Sequence, residues 1–335
     1  MSNDYRKNPP PFGTVFHREM PLARFRNGAW EPWKMVPSNQ LEMHPAMHAL
    51  HYGSTCFEGA KAFRQGDDSI AIFRLDDHIQ RMRTSAELLQ LPAPTPELFR
   101  AMALAVVEAA KELVPDAPGA LYIRPTLLGT DENIGKAGTP SETALFYILV
   151  SPVGDYFKVG SPMKILIDRS HARCAPHMGR VKTGGNYASA LLWQSKAKKE
   201  CGANQVLFCP HDDVQETGAS NFILIDGQKI ITKALTDEFL HGITRRSVLA
   251  VAQDLGFTVE ERPFGVGEIL DVIKRGGEAA LTGTAAVIAP VTSFVLDGAE
   301  IPVASTDKAL QLRAAVMDIQ FGRRPDKYHW LTRVN

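Results

Sequence analysis

Lys182 stands in the stretch GRVKTGGNYASALL, two residues ahead of a pair of glycines and five ahead of Tyr187. A lysine ammonium that gives up its proton cheaply becomes an amine nucleophile, able to form a Schiff base with an aldehyde. Most lysines instead stay solvated at the surface, and spacing alone reads Lys182 that way. It reads Glu216, at the strand end QETGASN, as another solvated charge. Two further stretches could hold an anion. HGITRRS places Gly242 and Thr244 just before a helix, where unpaired N–H groups and the helix dipole attract negative charge. LTGTAAV sets a Gly-Thr turn at 283–284 between strands, a second place where N–H groups converge. Both also read as ordinary punctuation, Thr244 as an N-cap and Gly283 as a turn residue.

Other chemistries lack their parts. GVGEIL (265–270) has no third glycine and follows no obvious first strand, and no GxxxxGK[ST] occurs, so Rossmann and P-loop readings fall away. The ten histidines include no HxxxH on a helix. The cysteines (Cys56, Cys174, Cys201 and Cys209) form no CxxC, so neither a metal site nor a dithiol switch is expected.

The elements that must position these residues are legible in outline. AKAFRQGDDSIAIFRL reads as two strands around a polar turn. Asp76 is expected to cap a helix that buries Ile79, Met82, Ala86 and Leu89 and ends at Pro92. A second helix is expected from Pro96 to about Val114. ALYIRPTLLG and ETALFYILVSPVG are apolar, β-branched and aromatic, and read as strands. The first 35 residues or so, rich in Pro, Arg and aromatics, read as an arm. After the turn-rich GDYFKVGSP come strand MKILID, the Lys182 stretch and a helix over about 186–200. NQVLFC, DVQE, NFILID and QKIIT follow as strands, then a helix stopping at Gly256, strand FTVEERP, a short helix, EAALTGTAAVIAP as strand–turn–strand, and a last helix over about 306–321. Strands and helices mix without strict βαβ alternation, which favours an α+β fold.

The totals set the frame. A chain of 335 residues exceeds the ~250–300 at which single cores split, so two domains are expected. The division is a small domain over 1–157, an interdomain loop over 158–171 and a large domain over 172–335. Lys+Arg and Asp+Glu both number 37, which gives no reason to expect nucleic acid or an acidic membrane as partner. MSNDYRKNPPPFG has no apolar core of a signal peptide, and ALFYILV is far shorter than the ~20 residues of a membrane span, so a cytoplasmic protein is expected.

Taken in order, HYGSTCFEGAKAFR, LYIRPTLLGT, VKTGGNYASALL, QETGASNFILI, HGITRRSVL and LTGTAAVIAPV resemble the successive motifs of branched-chain amino-acid aminotransferases, which are fold-type IV pyridoxal-phosphate enzymes. The resemblance runs from about His51 to Trp330, and DIQFGRRPDKYHW with SPVGDYF looks most like the eukaryotic-type branch, which also has bacterial members. It implies an α+β, two-domain fold of the D-amino-acid-aminotransferase-like type: a small α/β domain, and a larger mixed, β-barrel-like domain with helices. It implies transfer of the amino group of leucine, isoleucine or valine to 2-oxoglutarate, with pyridoxal 5′-phosphate as cofactor and a homodimer as the working form.

By the resemblance, Lys182 matches the lysine that holds the cofactor covalently and moves the proton between the substrate Cα and the cofactor. Tyr187 matches the hydrogen-bond partner of the phenolic oxygen, and Glu216 the partner of the ring nitrogen. Arg81, preferred over Arg83 because HIQRM fits the family pattern, matches a phosphate contact, as do the N–H groups of Ile243 and Thr244 and the hydroxyl of Thr284. Tyr52, Phe57, Tyr122 and Tyr156 match the aromatic wall for branched side chains, Arg124 the seat of glutamate's distal carboxylate, and the N–H groups around Thr284 and Ala285 the α-carboxylate site. Without the family, Arg124 reads as a strand-edge charge and the aromatics as core. Ala286 and Ala289 stand where mammalian-type members carry a CxxC pair, and Ala219 where some members have threonine. D-amino-acid or R-amine transaminases and aminodeoxychorismate lyases share the lysine and glutamate, but YIRP and GTAAVIAP speak against them. A non-catalytic phosphate-ligand binder is the alternative from another class.

Overall fold

A computed structural model of the chain describes residues 4–156 and 160–334; the expected junction between small domain and interdomain loop, at 157–158, lies outside them. The chain packs into two compact units. Unit 1 takes Met1–Tyr156, Val181–Gly184 and Ile319–Asn335, and unit 2 takes Phe157–Arg180 and Gly185–Asp318. The strand Lys164–Asp168 coincides with the expected MKILID, and its Ile165 and Ile167 are buried in the core of unit 2. The residues from Ile319 onward group with unit 1, because the strand Leu331–Val334 pairs antiparallel with Ile70–Phe73.

Among its described residues unit 1 carries a nine-stranded sheet. Its path runs Leu331–Val334, Ile70–Phe73, Ala60–Arg64, Ala120–Gly129, Ala144–Val153, Glu19–Arg26 and Ala29–Trp30, with Lys34–Pro37 and Thr55–Phe57 branching off it. The arm expected over the first 35 residues is therefore corrected for its second half. Met20, Leu22 and Ala23 are buried, and the strand that holds them pairs with Ala144–Val153. The two long central strands pair in register from Ala120 opposite Val153 to Gly129 opposite Ala144. Side chains two apart on a strand share a face, so Tyr122 and Arg124 point the same way.

Two helices pack on this sheet through Met82, Phe99, Met102, Val106, Leu121 and Phe146, all in one buried cluster. Fully burying each phenylalanine contributes about 1.5–3 kcal/mol. The second helix, Pro96–Ala109, starts as expected: Thr95 accepts the Leu98 N–H, and Pro96 sits where no N–H is needed. It ends earlier than expected and passes into a 3₁₀ turn over Lys111–Leu113. The first helix, Leu75–Leu88, is not capped by Asp76. Arg74 holds the cap position with φ 56°, its N–H donates to the Trp330 carbonyl, and its guanidinium pairs with Asp77. Asp76 and Asp77 thus lie inside the first turn, where negative charge suits the helix dipole.

Among its described residues unit 2 holds two mixed sheets. One orders Gln205–Phe208, Lys164–Asp168, Ser293–Leu296 and Ala299–Pro302; the other orders Thr258–Glu261, Lys229–Thr232, Asn221–Asp226, Glu278–Gly283 and Val287–Pro290. Each combines parallel and antiparallel pairs, as an α+β fold requires here in place of strict βαβ units. The expected strand DVQE forms only isolated bridges. The Val214 N–H donates to Phe264 and the Gln215 N–H to Phe208, so no single neighbour runs alongside the segment. The hairpin joining Ser293–Leu296 to Ala299–Pro302 was not expected, although its Asp297-Gly298 turn, with both φ positive, is a strong local signal.

Candidate active site

The Lys182 segment belongs to unit 1, where its backbone is held on both sides. The Lys182 carbonyl accepts the Phe57 N–H at 3.0 Å, and the Lys182 N–H donates to Ser85 Oγ at 3.0 Å. The ammonium lies 5.0 Å from the centre of the Phe57 ring. An aromatic neighbour leaves the side chain one apolar wall while the loop fixes where it starts.

Arg81 and Ser85 lie one turn apart on the Leu75–Leu88 helix. The Arg81 guanidinium grips Glu58 with two bonds, Nε to Oε1 at 2.6 Å and Nη2 to Oε2 at 2.9 Å. Glu58 Oε2 also accepts His78 Nδ1–H at 2.7 Å. Burial by itself would push the Glu58 carboxyl up, but the Arg81 and His78 partners hold it far below the ordinary carboxylate range. Burial pushes His78 down, against the pull of Glu58, so the pair is read as carboxylate and neutral imidazole. Arg83 does something different: its Nη1 donates to the Pro94 carbonyl at 3.1 Å.

The expected aromatic wall divides. Phe57, Tyr122 and Arg124 come together: the guanidinium carbon lies 4.8 Å from the Phe57 ring centre and 5.2 Å from that of Tyr122. Arg124 Nη2 donates to the Tyr122 hydroxyl at 3.0 Å, while its buried Nε has no partner among the described residues. A buried guanidinium nitrogen without an acceptor suits a ligand that brings a carboxylate. Gly59 makes the arrangement possible, since a Cβ there would lie 2.0 Å from the Tyr122 hydroxyl. Tyr156 joins through Phe12, whose ring meets Tyr122 edge-on at 4.8 Å and Tyr156 at 5.9 Å. Tyr52 belongs to another group: its hydroxyl donates to the Ile134 carbonyl and its ring meets His48 edge-on.

Unit 2 carries the remaining candidates. Tyr187 is in the first turn of the Gly184–Cys201 helix, which starts two residues earlier than expected. The Arg173 guanidinium lies 5.5 Å from its ring centre. Glu216 is buried, and among its partners are the donors Arg173 Nη1, the Asn221 amide at 3.0 Å and the Leu240 N–H at 3.0 Å. Burial would lower the Arg173 pKa, but the Glu216 charge beside it raises it above its ordinary value. Asn221 reaches further. Its amide also donates to the Leu240 carbonyl at 2.8 Å, and its Oδ1 lies where a Cβ on Gly242 would fall.

Gly242 is the N-cap of the Ile243–Asp254 helix and offers no side-chain acceptor to the first-turn N–H groups of Ile243 and Thr244. Those groups keep the anion-binding character of a helix start. The turn with Thr284 and Ala285 follows the strand Glu278–Gly283, whose Thr282 pairs with Asn221. The turn closes on Val287 at φ 62°, a backbone region that β-branched residues avoid. A buried, firmly anchored carboxylate, a tyrosine beside it, and a helix start capped by glycine form a donor set that fits a phosphorylated, nitrogen-heterocyclic cofactor such as pyridoxal phosphate.

Five residues of this account were missed in the sequence: Phe12, Glu58, Ser85, Arg173 and Asn221. Glu58 left a trace, a charge inside the apolar run CFEGAKAF. Phe12, Ser85 and Arg173 lie far along the chain from what they support, and no local pattern marks them; Asn221 stands five residues from Glu216 and reads locally as an ordinary strand residue.

The model of class IV amino-transferases matches residues 55–294. The chain is 38% identical over 306 residues to the chloroplastic branched-chain amino acid aminotransferase 2 of Humulus lupulus, covering 88% of this chain and 73% of that one. It is 34% identical to branched-chain-amino-acid aminotransferase 2 of Bacillus subtilis, over 96% and 92% of the two chains. Among solved structures, a T.th. branched-chain amino acid aminotransferase with pyridoxamine 5′-phosphate superposes with a TM-score of 0.78 at 28% identity, covering 94% of this chain and 98% of that one. The Escherichia coli enzyme gives 0.77 at 25% identity, covering 95% and 99%. With its own donor set fitted to the same cofactor, the chain belongs to the pyridoxal-phosphate-dependent class IV aminotransferases, within the branched-chain amino-acid aminotransferase family.

Proposed function

We propose that this protein reversibly moves the amino group of L-leucine, L-isoleucine or L-valine to 2-oxoglutarate, giving the branched-chain 2-oxo acids and L-glutamate. The observation that carries this reading is Arg124 inside an aromatic group. Phe57 and Tyr122 offer apolar area to an aliphatic side chain. The buried, unpartnered Nε of Arg124 offers a hydrogen bond to a distal carboxylate. One pocket can then take turns with both partners of a ping-pong exchange.

The cofactor, when bound, would supply an electron sink for the bond broken at the substrate Cα. By the resemblance, Lys182 would hold the cofactor and carry the proton to and from Cα. Glu216 would keep the ring nitrogen protonated, and Tyr187 would donate to the phenolic oxygen. Arg81, the N–H groups of Ile243 and Thr244, and the Thr284 hydroxyl would hold the phosphate. The N–H groups at Thr284 and Ala285 would take the α-carboxylate. Tyr156 would extend the wall of Phe57 and Tyr122 through Phe12, whose ring meets both tyrosines edge-on, whereas Tyr52, grouped with His48 and Ile134, stands apart from it.

The test is a panel of amino donors in both enantiomers, each with 2-oxoglutarate. L-leucine, L-isoleucine and L-valine are expected to lead. A preference for D-leucine or D-alanine would place the chain with the D-amino-acid transaminases, and no turnover at all would favour a binding protein. Arg124→Ala separates the two half-reactions. It is expected to lower kcat/KM for glutamate roughly 10²-fold and for leucine only a few-fold, as removing a charged contact to one substrate should. Equal losses would contradict the assignment.

We further propose a cytoplasmic homodimer in which part of the first unit completes the neighbour's site. Among the described residues no helix is long and apolar enough to cross a membrane. Leu50 and Ile134 are 58% and 64% exposed in the lone chain, apolar surface that a second copy would cover. Sedimentation of the purified protein reads the assembly directly.

A further inference from the structure

Glu58 is a carboxylate with no exposure at all, set between two short strands whose other residues are mostly apolar or small. Burying a charge is costly even when it is paired, and an apolar residue of similar size commonly stabilises a core as well. Stability alone therefore gives a poor reason for this glutamate. Geometry gives a better one. The guanidinium plane carries five N–H groups in a fixed fork. Two of them, on Nε and Nη2, are fixed on the two Glu58 oxygens at 2.6 and 2.9 Å, so the direction of all the others follows. The carboxylate cannot swing, because Oε2 also accepts from His78 at 2.7 Å and from the Gly59 N–H at 3.1 Å.

The same two elements hold Lys182. Phe57, next to Glu58, donates to the Lys182 carbonyl, and Ser85, one turn after Arg81, accepts the Lys182 N–H. The Glu58–Arg81 clamp thus joins the strand end and the helix face that carry the lysine loop.

We propose that Glu58 is a positioning residue for phosphate recognition: it aims the Arg81 guanidinium at the phosphate monoester of the cofactor. This rests on the reading of Arg81 as a phosphate contact. Glu58 already offsets the charge of Arg81, so what Arg81 gives a phosphate is direction more than net charge. Two roles for Glu58 then make opposite forecasts. If it only balances charge, replacing it with a neutral residue strengthens phosphate binding; if it aims the arginine, any change of its reach weakens binding.

The experiment compares the equilibrium affinity of the cofactor-stripped protein for pyridoxal 5′-phosphate and for pyridoxal, which lacks the phosphate. Glu58→Asp keeps the charge, and with it the counter-ion Arg81 needs in the core, but withdraws the oxygens by one methylene. It is expected to lower affinity for pyridoxal phosphate roughly 10–100-fold, in the range seen when a supporting ligand partner is lost, with affinity for pyridoxal nearly unchanged. Glu58→Gln is expected to act in the same direction. Unchanged pyridoxal phosphate binding in Glu58→Asp, or tighter binding in Glu58→Gln, overturns the proposal. So does an equal loss for both ligands, which would place the effect on the Lys182 loop. Arg81→Met is the control for the underlying reading. It should lose the same discrimination, and adding Glu58→Gln to it should cost nothing more. If Arg81→Met binds both ligands as the parent does, Arg81 is not the phosphate contact, and the proposal falls with that reading.

Discussion

Lys182→Ala is expected to abolish the near-visible absorbance of the lysine–cofactor linkage and to cut transamination at least ~10³-fold, since covalent holding and proton transfer are lost together. The magnitude follows from what the lysine is asked to do. General acid–base catalysis alone is worth about 10²–10⁴ in rate. Alanine leaves Phe57 and Ser85 in place, and the hydrogen bonds that join them to residue 182 run through its backbone. The loop should therefore keep its course, and pyridoxal phosphate should still bind non-covalently through the phosphate contacts. The check is single-turnover kinetics with L-leucine at saturating cofactor, read beside the absorbance spectrum. Turnover within tenfold of the parent would show that another group moves the proton.

The second large effect is expected at Glu216. Glu216→Gln should lower kcat on the order of 10²-fold, because an amide cannot hold a proton on the ring nitrogen and the electron sink weakens. Its surroundings say why the carboxylate is worth keeping. Arg173, the Asn221 amide and the Leu240 N–H all donate to it. A glutamine would turn an NH₂ toward at least one of these donors and leave the buried Arg173 without its counter-charge. A loss of thermal stability should therefore accompany the loss of rate, and the rate is to be normalised to cofactor content. Catalysis within twofold of the parent, at full cofactor occupancy, would remove Glu216 from the ring-nitrogen role. Arg173→Met offers a comparison, since it removes the counter-charge and keeps the carboxylate.

The family and the α+β fold were legible because six motifs stand in order and most strands announce themselves by apolar, β-branched runs. The strand Ala120–Gly129 coincides with ALYIRPTLLG. Local rules failed where a distant residue overrode them. Asp76 has the side chain of an N-cap, but Trp330 and Asp77 draw Arg74 into that place. DVQE has the alternation of a strand, yet its N–H groups are shared between Phe208 and Phe264. The strand Glu19–Arg26 was hidden by the prolines and arginines around it, and its place became visible only through its partners Tyr147, Phe146 and Leu145.

At the site, the residues whose roles come from the resemblance were all nameable from the sequence. Those that hold them were not. Glu58 and Arg81 are 23 positions apart, and Arg173 and Glu216 are 43 apart. No periodicity spans such distances. Arg124 is the instructive case: as a letter in a strand it reads as an edge charge, and only its buried Nε beside Phe57 and Tyr122 gives it a recognisable task.

The strand Leu331–Val334 is the outer neighbour of Ile70–Phe73, so this sheet acquires one margin from residues made long after the strand they flank. On a ribosome adding about 5–20 residues per second, Ile70–Phe73 waits tens of seconds for that neighbour. Through that interval its outward N–H and C=O groups are open to pairing with other nascent chains. Folding during synthesis is therefore expected to depend on translation speed and on chaperones that shield sheet margins, and a chain cut short before Leu331 would carry Ile70–Phe73 without its outer partner.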